Sequence, residues 1–364
     1  MKPKLSLFAP ALFGLFLHAS PGASAERVVL VAGGGSDTNA TVPIKPTDAS
    51  LSAPFGVDFD QAGNLYLVEL TGFRVRKLDK AGLLRVVAGT GLKGDAGDNG
   101  PALQARFNGL HSLAVAPMGD LFLADTWNNR VRKIDAMTGK VTPVAGTGQQ
   151  GYGGDDGPAT KATFGGVYCV SLDAKGEQLL LADLDNFRIR AVNLRTGRVR
   201  TVAGNGQKGV PIDGALAVAS PLVDPRAVVS DAQGRIYILE RSGNALRAVE
   251  PDGTIRTVAG TGQKGNTGDG DDARQATLNG PKHLCLDLDG NVVIADTENH
   301  VIRQYLPRQG KIIRLAGTGS KGSRGVGGPP LALELNQPHG VHVHADGSLY
   351  VSDSSNNRVL KIER

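Results

Sequence analysis

Residues 257–265 read Thr-Val-Ala-Gly-Thr-Gly-Gln-Lys-Gly, and the core of this stretch, Val-Ala-Gly, recurs along the chain at nearly constant spacing. Successive copies lie 56, 57, 58, 56 and 57 residues apart. A period of this length indicates one small unit copied six times, in which each copy buries its apolar face against its neighbours. The last glycines of the copies, with Leu-Ala-Gly in the sixth, are Gly33, Gly89, Gly146, Gly204, Gly260 and Gly317.

The second unit shows the secondary structure expected of every copy. A short strand over residues 85–89 is followed by a Gly-rich connection and a short helical stub over 101–107. Three further strands are predicted over 113–117, 121–125 and 130–135, with turn residues between them. Four short strands in each of six units predict an all-β fold, a six-bladed β-propeller of four-stranded blades.

The two ends of the chain predict how the propeller closes. Residues 28–32 resemble the outer strands at 142–145 and 257–259 but have no unit before them. Residues 358–363 resemble the third strand at 130–133, so the chain ends one strand short of a complete blade. We therefore expect the N-terminal strand to complete the last blade, which leaves no open sheet edge.

The first 25 residues have the pattern of a cleaved secretory signal. Lys2 and Lys4 precede an apolar run over residues 5–17, and Ala-Ser-Ala at 23–25 is a small-residue cleavage site. The run is shorter than the roughly 20 residues that span a bilayer. We predict a signal peptide over 1–25, a propeller domain over 26–364, export to the periplasm or the extracellular space, and no transmembrane span.

Charge and cysteine content narrow the function classes. Loss of Lys2 and Lys4 with the signal lowers the formal net charge from +5 to +3, and the basic residues are spread along the repeats. This distribution argues against a nucleic-acid binder. Cys169 and Cys285 lie on equivalent strands two units apart, so we expect buried, unpaired thiols. We also expect a monomer.

The turn after the second strand carries a family motif. Residues 125–132, Asp-Thr-Trp-Asn-Asn-Arg-Val-Arg, resemble the NHL repeat, as do residues 183–190, 296–303 and 353–360. Residues 154–164 and 336–341 are similar to the linker and inner strand of exported bacterial NHL proteins. The resemblance covers essentially all of 26–364 and implies a six-bladed propeller that serves as a binding platform. Unit four departs most, with Glu240 and Ala245 in place of the aspartate and arginine.

Two motifs resemble cofactor-binding sites, but the surrounding sequence does not support that interpretation. Gly-x-Gly-x-x-Gly occurs five times, as at 260–265, yet it ends an outer strand and no long helix follows. A dinucleotide site is therefore not predicted, and the glycines are interpreted as turn residues. The acidic residues at 268–272 lack the spaced ligands of a calcium loop. No cofactor is predicted, with zinc or calcium as the alternative.

An acidic residue recurs where the second strand of each unit turns into the third. A ring of carboxylates could hold a metal, or each could accept hydrogen bonds from turn amides and pair with the arginine five residues later. Because catalytic groups are usually asymmetric, presence in every unit favours the structural role. The six acids are Glu69, Asp125, Asp183, Glu240, Asp296 and Asp353.

A second column keeps its place in every unit but changes residue type. It lies at the entrance to each innermost strand, and its spacing equals that of the glycines. Since innermost strands surround the propeller axis, these side chains should converge at one mouth of the central channel, on the face that carries Trp127. Cations, imidazoles and aromatic rings together suit a protein, a peptide or a small anionic or sugar-like ligand. The predicted binding residues are Phe55, His111, Tyr168, Arg226, Lys282 and His339.

A metal-dependent lyase or a lactonase-like hydrolase is the alternative function. The chain is distantly similar to the propeller lyase that cleaves peptidyl-α-hydroxyglycine, and to SMP-30/gluconolactonase-like propellers. The lyase resemblance implies that His111 and His339 occupy two of three zinc-histidine positions and Tyr168 the catalytic tyrosine. Arg226 and Phe55 stand where the third histidine and an arginine would be required. Catalytic zinc normally has three protein ligands, so His111 and His339 make a poor zinc site.

Overall fold

The computed structural model describes residues 26–38 and 42–363, so the expected export segment lies outside the described residues. Within these ranges, 24 strands form six four-stranded antiparallel sheets, and no α-helix occurs. The inner strand of each sheet contacts the inner strand of the next, and the sixth contacts the first. The chain is therefore a closed six-bladed β-propeller, as the repeats predict. No helix in this part of the chain is long and apolar enough to cross a membrane.

Each blade runs from an inner strand at the channel to an outer strand at the rim. Blades one to three contain β2 (Pro54–Phe59), β3 (Leu65–Glu69), β4 (Arg74–Leu78), β5 (Leu84–Ala88), β6 (Leu110–Val115), β7 (Leu121–Asp125), β8 (Arg130–Ile134), β9 (Val141–Ala145), β10 (Val167–Leu172), β11 (Gln178–Asp183), β12 (Arg188–Asn193) and β13 (Val199–Ala203). Blades four to six contain β14 (Pro225–Ser230), β15 (Ile236–Glu240), β16 (Ala245–Val249), β17 (Ile255–Ala259), β18 (His283–Leu286), β19 (Val292–Asp296), β20 (Val301–Leu306), β21 (Lys311–Ala316), β22 (Pro338–Val343), β23 (Leu349–Asp353), β24 (Arg358–Glu363) and β1 (Arg27–Gly33).

The inner strand of the second unit begins earlier than its sequence predicts. Strand β6 starts at Leu110 rather than at residue 113, with a register shift between Leu110 and Leu113 opposite β7. The polar residues His111 and Ser112 interrupt the apolar pattern there, which hides the true start of the strand. Short 3-10 segments occupy the connections and turns: Pro46–Asp48, Ala102–Gln104, Thr126–Asn128, Ala159–Lys161, Leu184–Asn186, Ala217–Ala219, Ala273–Gln275, Thr297–Asn299, Pro330–Ala332 and Ser354–Asn356.

The N-terminal strand closes the ring. Strand β1 is antiparallel to β24, so that Arg27 pairs with Glu363 and Leu30 with Leu360. The side chain of Val28 is fully buried in the core of blade six. The predicted closure is confirmed, because β1 covers the outer edge of β24, the third strand of the last sheet.

The recurrent carboxylates are structural. All six are fully buried, and each accepts a hydrogen bond from the amide three residues before the channel-entrance residue of its blade. In blade four, Glu240 Oε1 accepts from the Val223 amide at 2.7 Å. The acids thus hold the loops that lead to the channel, and the structural interpretation is confirmed.

Within the described part of the chain, the expected arginine partner, five residues after the acid, pairs with it in blades two and six but not in the other four. In blades one to five, an arginine seven residues after the acid lies within ion-pair distance, as Arg247 Nη2 does at 2.7 Å from Glu240 Oε2. The arginine five residues later pairs with the acid in blade six, with Arg358 Nε 2.7 Å from Asp353 Oδ2, and in blade two Arg130 Nε lies 3.6 Å from Asp125 Oδ2. Residues five and seven positions later project from the same side of the third strand, so alternation along the strand does not distinguish them.

Candidate functional site

The channel mouth opens on the face where the inner strands begin. Pro54 at the start of β2 pairs with Glu69 at the end of β3, and Val75 near the start of β4 pairs with Ala88 at the end of β5. The inner-strand entrances, the turns after the second strands and the outgoing connections therefore share one face. We call it the loop-rich face.

Aromatic rings form a continuous wall along one part of the mouth. Phe55 stacks on His339 with ring centroids 3.9 Å apart, and its ring meets His111 edge-on at 5.2 Å. His111 lies 4.7 Å from Tyr168 and 5.4 Å from Trp127. Phe55 and His111 are buried, whereas Trp127 is 47% exposed. We call these five residues the aromatic wall, which runs from the channel to solvent.

Gly109 allows the indole of Trp127 to lie close to the mouth. Its φ of +70° is in the left-handed region that favours glycine, and an added Cβ would overlap the Trp127 ring. A side chain at this position would therefore displace the exposed end of the aromatic wall.

The two imidazoles of the mouth are neutral acceptors. His111 Nδ1 lies 2.9 Å from the Gly109 carbonyl and His339 Nδ1 lies 2.8 Å from the Gln337 carbonyl. A carbonyl oxygen only accepts, so each Nδ1 carries the proton and each Nε2 is free of it. Burial, followed by repulsion from the nearby cations, lowers the pKa of both histidines well below the usual value.

Two cations complete the mouth, in different environments. Arg226 is only 4% exposed, donates from Nη1 to the Tyr168 carbonyl at 3.2 Å and lies over the Tyr168 ring. No carboxylate of residues 26–38 or 42–363 lies within 4.0 Å of its guanidinium. Lys282 Nζ instead lies 2.7 Å from Glu298 Oε1. Burial lowers the pKa of Arg226 to about 10 and also lowers the pKa of Lys282.

The structure therefore brings the predicted column together at one place. Five of its six side chains form a chain of direct contacts from His339 to Arg226, and Lys282 stands beside them with its ammonium group turned to Glu298. The binding role of the column remains a prediction.

A small cavity lies deeper in the channel. It measures about 210 Å³, and its lining includes Cys169, Cys285 and His342. His342 Nδ1 lies 3.2 Å from Asp58 Oδ1 across the boundary between blades six and one. Among the described residues, no three His, Cys, Asp or Glu side chains are grouped so that they could hold a metal.

The two thiols are unpaired, but only one is buried as expected. Cys169 is 2% exposed, whereas Cys285 is partly exposed. Both line the deeper cavity, and the open space in front of Cys285 is the physical reason for its exposure. Burial raises the pKa of Cys169, and it raises that of Cys285 to about 12, so both remain protonated thiols at neutral pH.

Apart from Trp127, sequence reasoning missed a second set of residues around the mouth. They lie two positions after each recurrent acid, at intervals of 56, 58, 57, 56 and 57, so the spacing that located the mouth could also have found them. Glu298, the partner of Lys282, belongs to this set. Its members are Thr71, Trp127, Asp185, Ser242, Glu298 and Ser355.

Comparison with known proteins supports the motif and the fold. A profile of the NHL repeat matches residues 107–134 and 335–362, which hold the second and third strands of blades two and six. The chain carries NHL repeats. The chloroplastic protein SUPPRESSOR OF QUENCHING 1 of Arabidopsis thaliana is 26% identical to this NHL-repeat chain over 286 residues. The match covers 75% of the chain and 27% of that protein, so the chain spans about a quarter of its relative's length.

Solved structures with this fold include proteins of different named functions. An auxiliary nutrient binding protein from Bacteroides thetaiotaomicron aligns with 93% of the NHL-repeat chain and 76% of its own, at a TM-score of 0.68 and 14% identity. Virginiamycin B lyase from Staphylococcus aureus aligns with 92% and 88%, at a TM-score of 0.51 and 12% identity. At such identities the likeness shows the six-bladed fold alone.

Proposed function

We propose that the loop-rich face is a binding platform whose channel mouth takes a small hydroxylated organic anion. Arg226 contacts the anionic group, and the aromatic wall contacts the carbon skeleton. The observation that carries the proposal is a nearly fully buried guanidinium in the channel-entrance column, with no carboxylate of the described chain within 4.0 Å. A buried charge without a partner is costly, and an anionic ligand would remove that cost.

The other fully buried arginines have structural roles and provide a comparison for Arg226. Each is 0 to 2% exposed and lies within 4.0 Å of at least one carboxylate. Arg226 departs from this rule although Lys282, its neighbour in the column, has a carboxylate partner. The paired arginines are Arg76, Arg132, Arg190, Arg247 and Arg303.

The remaining groups of the mouth favour a ligand with hydroxyl groups. The neutral imidazoles of His111 and His339 present Nε2 atoms that accept hydrogen bonds but cannot donate them. Hydroxyl groups of a ligand would supply the missing donors. The exposed ring of Trp127 and the partly exposed ring of Tyr168 offer flat surfaces on which a sugar ring can stack.

Isothermal titration calorimetry with glucuronate and glucose, which differ by one carboxylate, tests the proposal. We expect glucuronate to bind and glucose to bind at least about tenfold more weakly, and Arg226→Gln to weaken glucuronate binding by about tenfold or more. Arg256→Gln, at a half-exposed arginine paired with Glu250, is the matched control and should leave binding unchanged. Glucuronate binding that persists in a folded Arg226→Gln variant would refute the proposal.

A further inference from the structure

A basin lies next to the mouth on the loop-rich face, between blades four and five. It has a volume of about 540 Å³, and its lining includes Arg241, Lys264, Lys282, Ser242 and Glu298. Lys282 belongs to both the mouth and the basin, so the two are continuous. We call the space in front of these five residues the basin.

The basin has more positive than negative groups. Glu298 is paired with Lys282 at 2.7 Å, and Arg241 Nη2 lies 3.5 Å from Asp224 Oδ2. Lys264 is exposed, and no carboxylate in the described ranges lies within 4.0 Å of its ammonium group. Burial is the main cause of the lowered pKa of Arg226 and Lys282, and repulsion from Arg241 contributes to both. The positive charges of mouth and basin therefore act on one another.

From this arrangement we infer that the basin is a second anion subsite, and that the ligand of the mouth carries two anionic groups. The inference rests on the proposed function of the mouth. One group would contact Arg226, and the second, a carboxylate or a phosphate, would contact Lys264 and Arg241, while the Ser242 hydroxyl donates to Asp224. A second anionic group on the same carbon skeleton adds a charge-assisted hydrogen bond. It increases affinity because the ligand loses its translational and rotational entropy only once.

The repeat supplies a matched control for Lys264. A lysine occupies the equivalent turn in the connection that leads into blades two, four, five and six. Each of these lysines forms a β-bridge with the residue four positions before the channel-entrance residue of that blade. In blade two that lysine is Lys93, which is also exposed. Blade two contributes His111 and Trp127 to the mouth where blade five contributes Lys282 and Glu298. Lys93 thus has the same local structure as Lys264 but does not line the basin.

The test compares three ligands that share a six-carbon skeleton. Glucuronate has one carboxylate, glucarate has a second carboxylate at the other end, and glucuronate 1-phosphate has a phosphate there. By calorimetry at constant ionic strength, we expect the full-length protein to bind glucarate, the phosphate ester or both about tenfold more tightly than glucuronate. Whichever of glucarate and glucuronate 1-phosphate binds more tightly identifies the second group. Lys264→Gln should abolish this gain and change glucuronate affinity less than twofold, whereas Lys93→Gln should preserve the gain.

The possible failures are distinct. Equal affinity for ligands with one and two anionic groups would overturn the second subsite while leaving the mouth proposal intact. An equal loss of the affinity gain in Lys264→Gln and Lys93→Gln would also overturn the second subsite, since the positive potential of the whole surface would then explain the gain. A protein that binds none of the three acids overturns both proposals. Glucuronate affinity unchanged by Arg226→Gln, together with a gain that needs Lys264, would refute the mouth proposal while leaving the basin as an anion subsite.

Discussion

At the scale of single residues, the same side-chain type has different roles according to what lies beside it. Arg247 and Arg226 are both buried arginines of blade four, yet Arg247 is paired with Glu240 and Arg226 has only a carbonyl and an aromatic ring. His111 and His339 are held neutral by burial and by neighbouring cations. At neutral pH the two cations are therefore the charged members of the channel-entrance column, and Glu298 offsets the charge of Lys282.

This distribution of charge predicts the pH dependence of anion binding. Glucuronate affinity should be constant between about pH 6 and 8, since the histidines are already neutral and the ligand carboxylate is already ionised. It should fall as the pH rises toward about 10, because burial lowers the pKa of Arg226 and also that of Lys282 below the usual values. Calorimetry across this range, with circular dichroism to verify folding, measures the effect. An affinity that changes several-fold between pH 6 and 8 would show that the imidazoles titrate.

At the scale of elements, the buried acid of each blade connects the second strand to the loop before the inner strand. Glu240 at the end of β15 accepts from the Val223 amide and pairs with Arg247 of β16. Because Val223 lies three residues before Arg226, this pair fixes the backbone that leads to the mouth. The repeated acids therefore contribute to the site through position and not through direct contact.

Removal of this one charge should be costly. Glu240→Gln retains an acceptor for the Val223 amide but leaves Arg247, 3% exposed, without a carboxylate. Breaking a buried pair in this way costs about 3–5 kcal/mol, so we expect a loss of that size in the free energy of unfolding, measured by urea denaturation. The double variant Glu240→Gln/Arg247→Met should recover most of it, because no unpaired charge remains.

An exposed ion pair provides the comparison for this prediction. Arg324 pairs with Glu334 on the surface and is 87% exposed, so Arg324→Ala should leave stability unchanged. If Glu240→Gln is as stable as the unmodified protein, the pair does not stabilise blade four. A double variant no more stable than the single one would show that the loss comes from altered packing and not from the unpaired guanidinium.

At the scale of the whole molecule, the position of the mouth depends on ring closure. The six inner strands surround the channel only because β1 completes the sheet of blade six, which packs against blade one. Stacking of Phe55 of blade one on His339 of blade six joins the first and last blades at the mouth itself. A ring that opened at this boundary would separate the two halves of the aromatic wall.

Deletion of residues 28–34 tests the closure. It removes the fully buried side chains of Val28 and Ala32 and exposes the edge of β24. Burial of Val28 alone stabilises by about 1.5–3 kcal/mol, so Tm should fall by at least about 5 °C, and the free edge should promote aggregation. Leu30→Ala is the control, because it shortens a partly buried side chain but leaves the backbone pairing with Leu360 in place. An unchanged Tm after the deletion would contradict the role assigned to β1.

Most of the fold is predictable from the sequence, because repetition and strand alternation are local properties of the chain. The 57-residue period, the four strands of each unit and the incomplete last unit together predict the blade number and the closure. The same spacing locates all six residues of the mouth. Strand boundaries are less certain where polar residues enter an inner strand, as at His111 in β6.

Which side chains contact one another depends on the tertiary structure. A six-bladed propeller and the column from Phe55 to His339 follow from the sequence, since equal spacing places equivalent residues at equivalent positions. The sequence does not show that Glu298 contacts Lys282, that no carboxylate of the described chain lies within 4.0 Å of the Arg226 guanidinium, or that Lys264 faces the same basin. These relations depend on how far side chains reach between neighbouring turns and blades. Such distances follow from the packing of the closed ring, and no short sequence pattern encodes that packing.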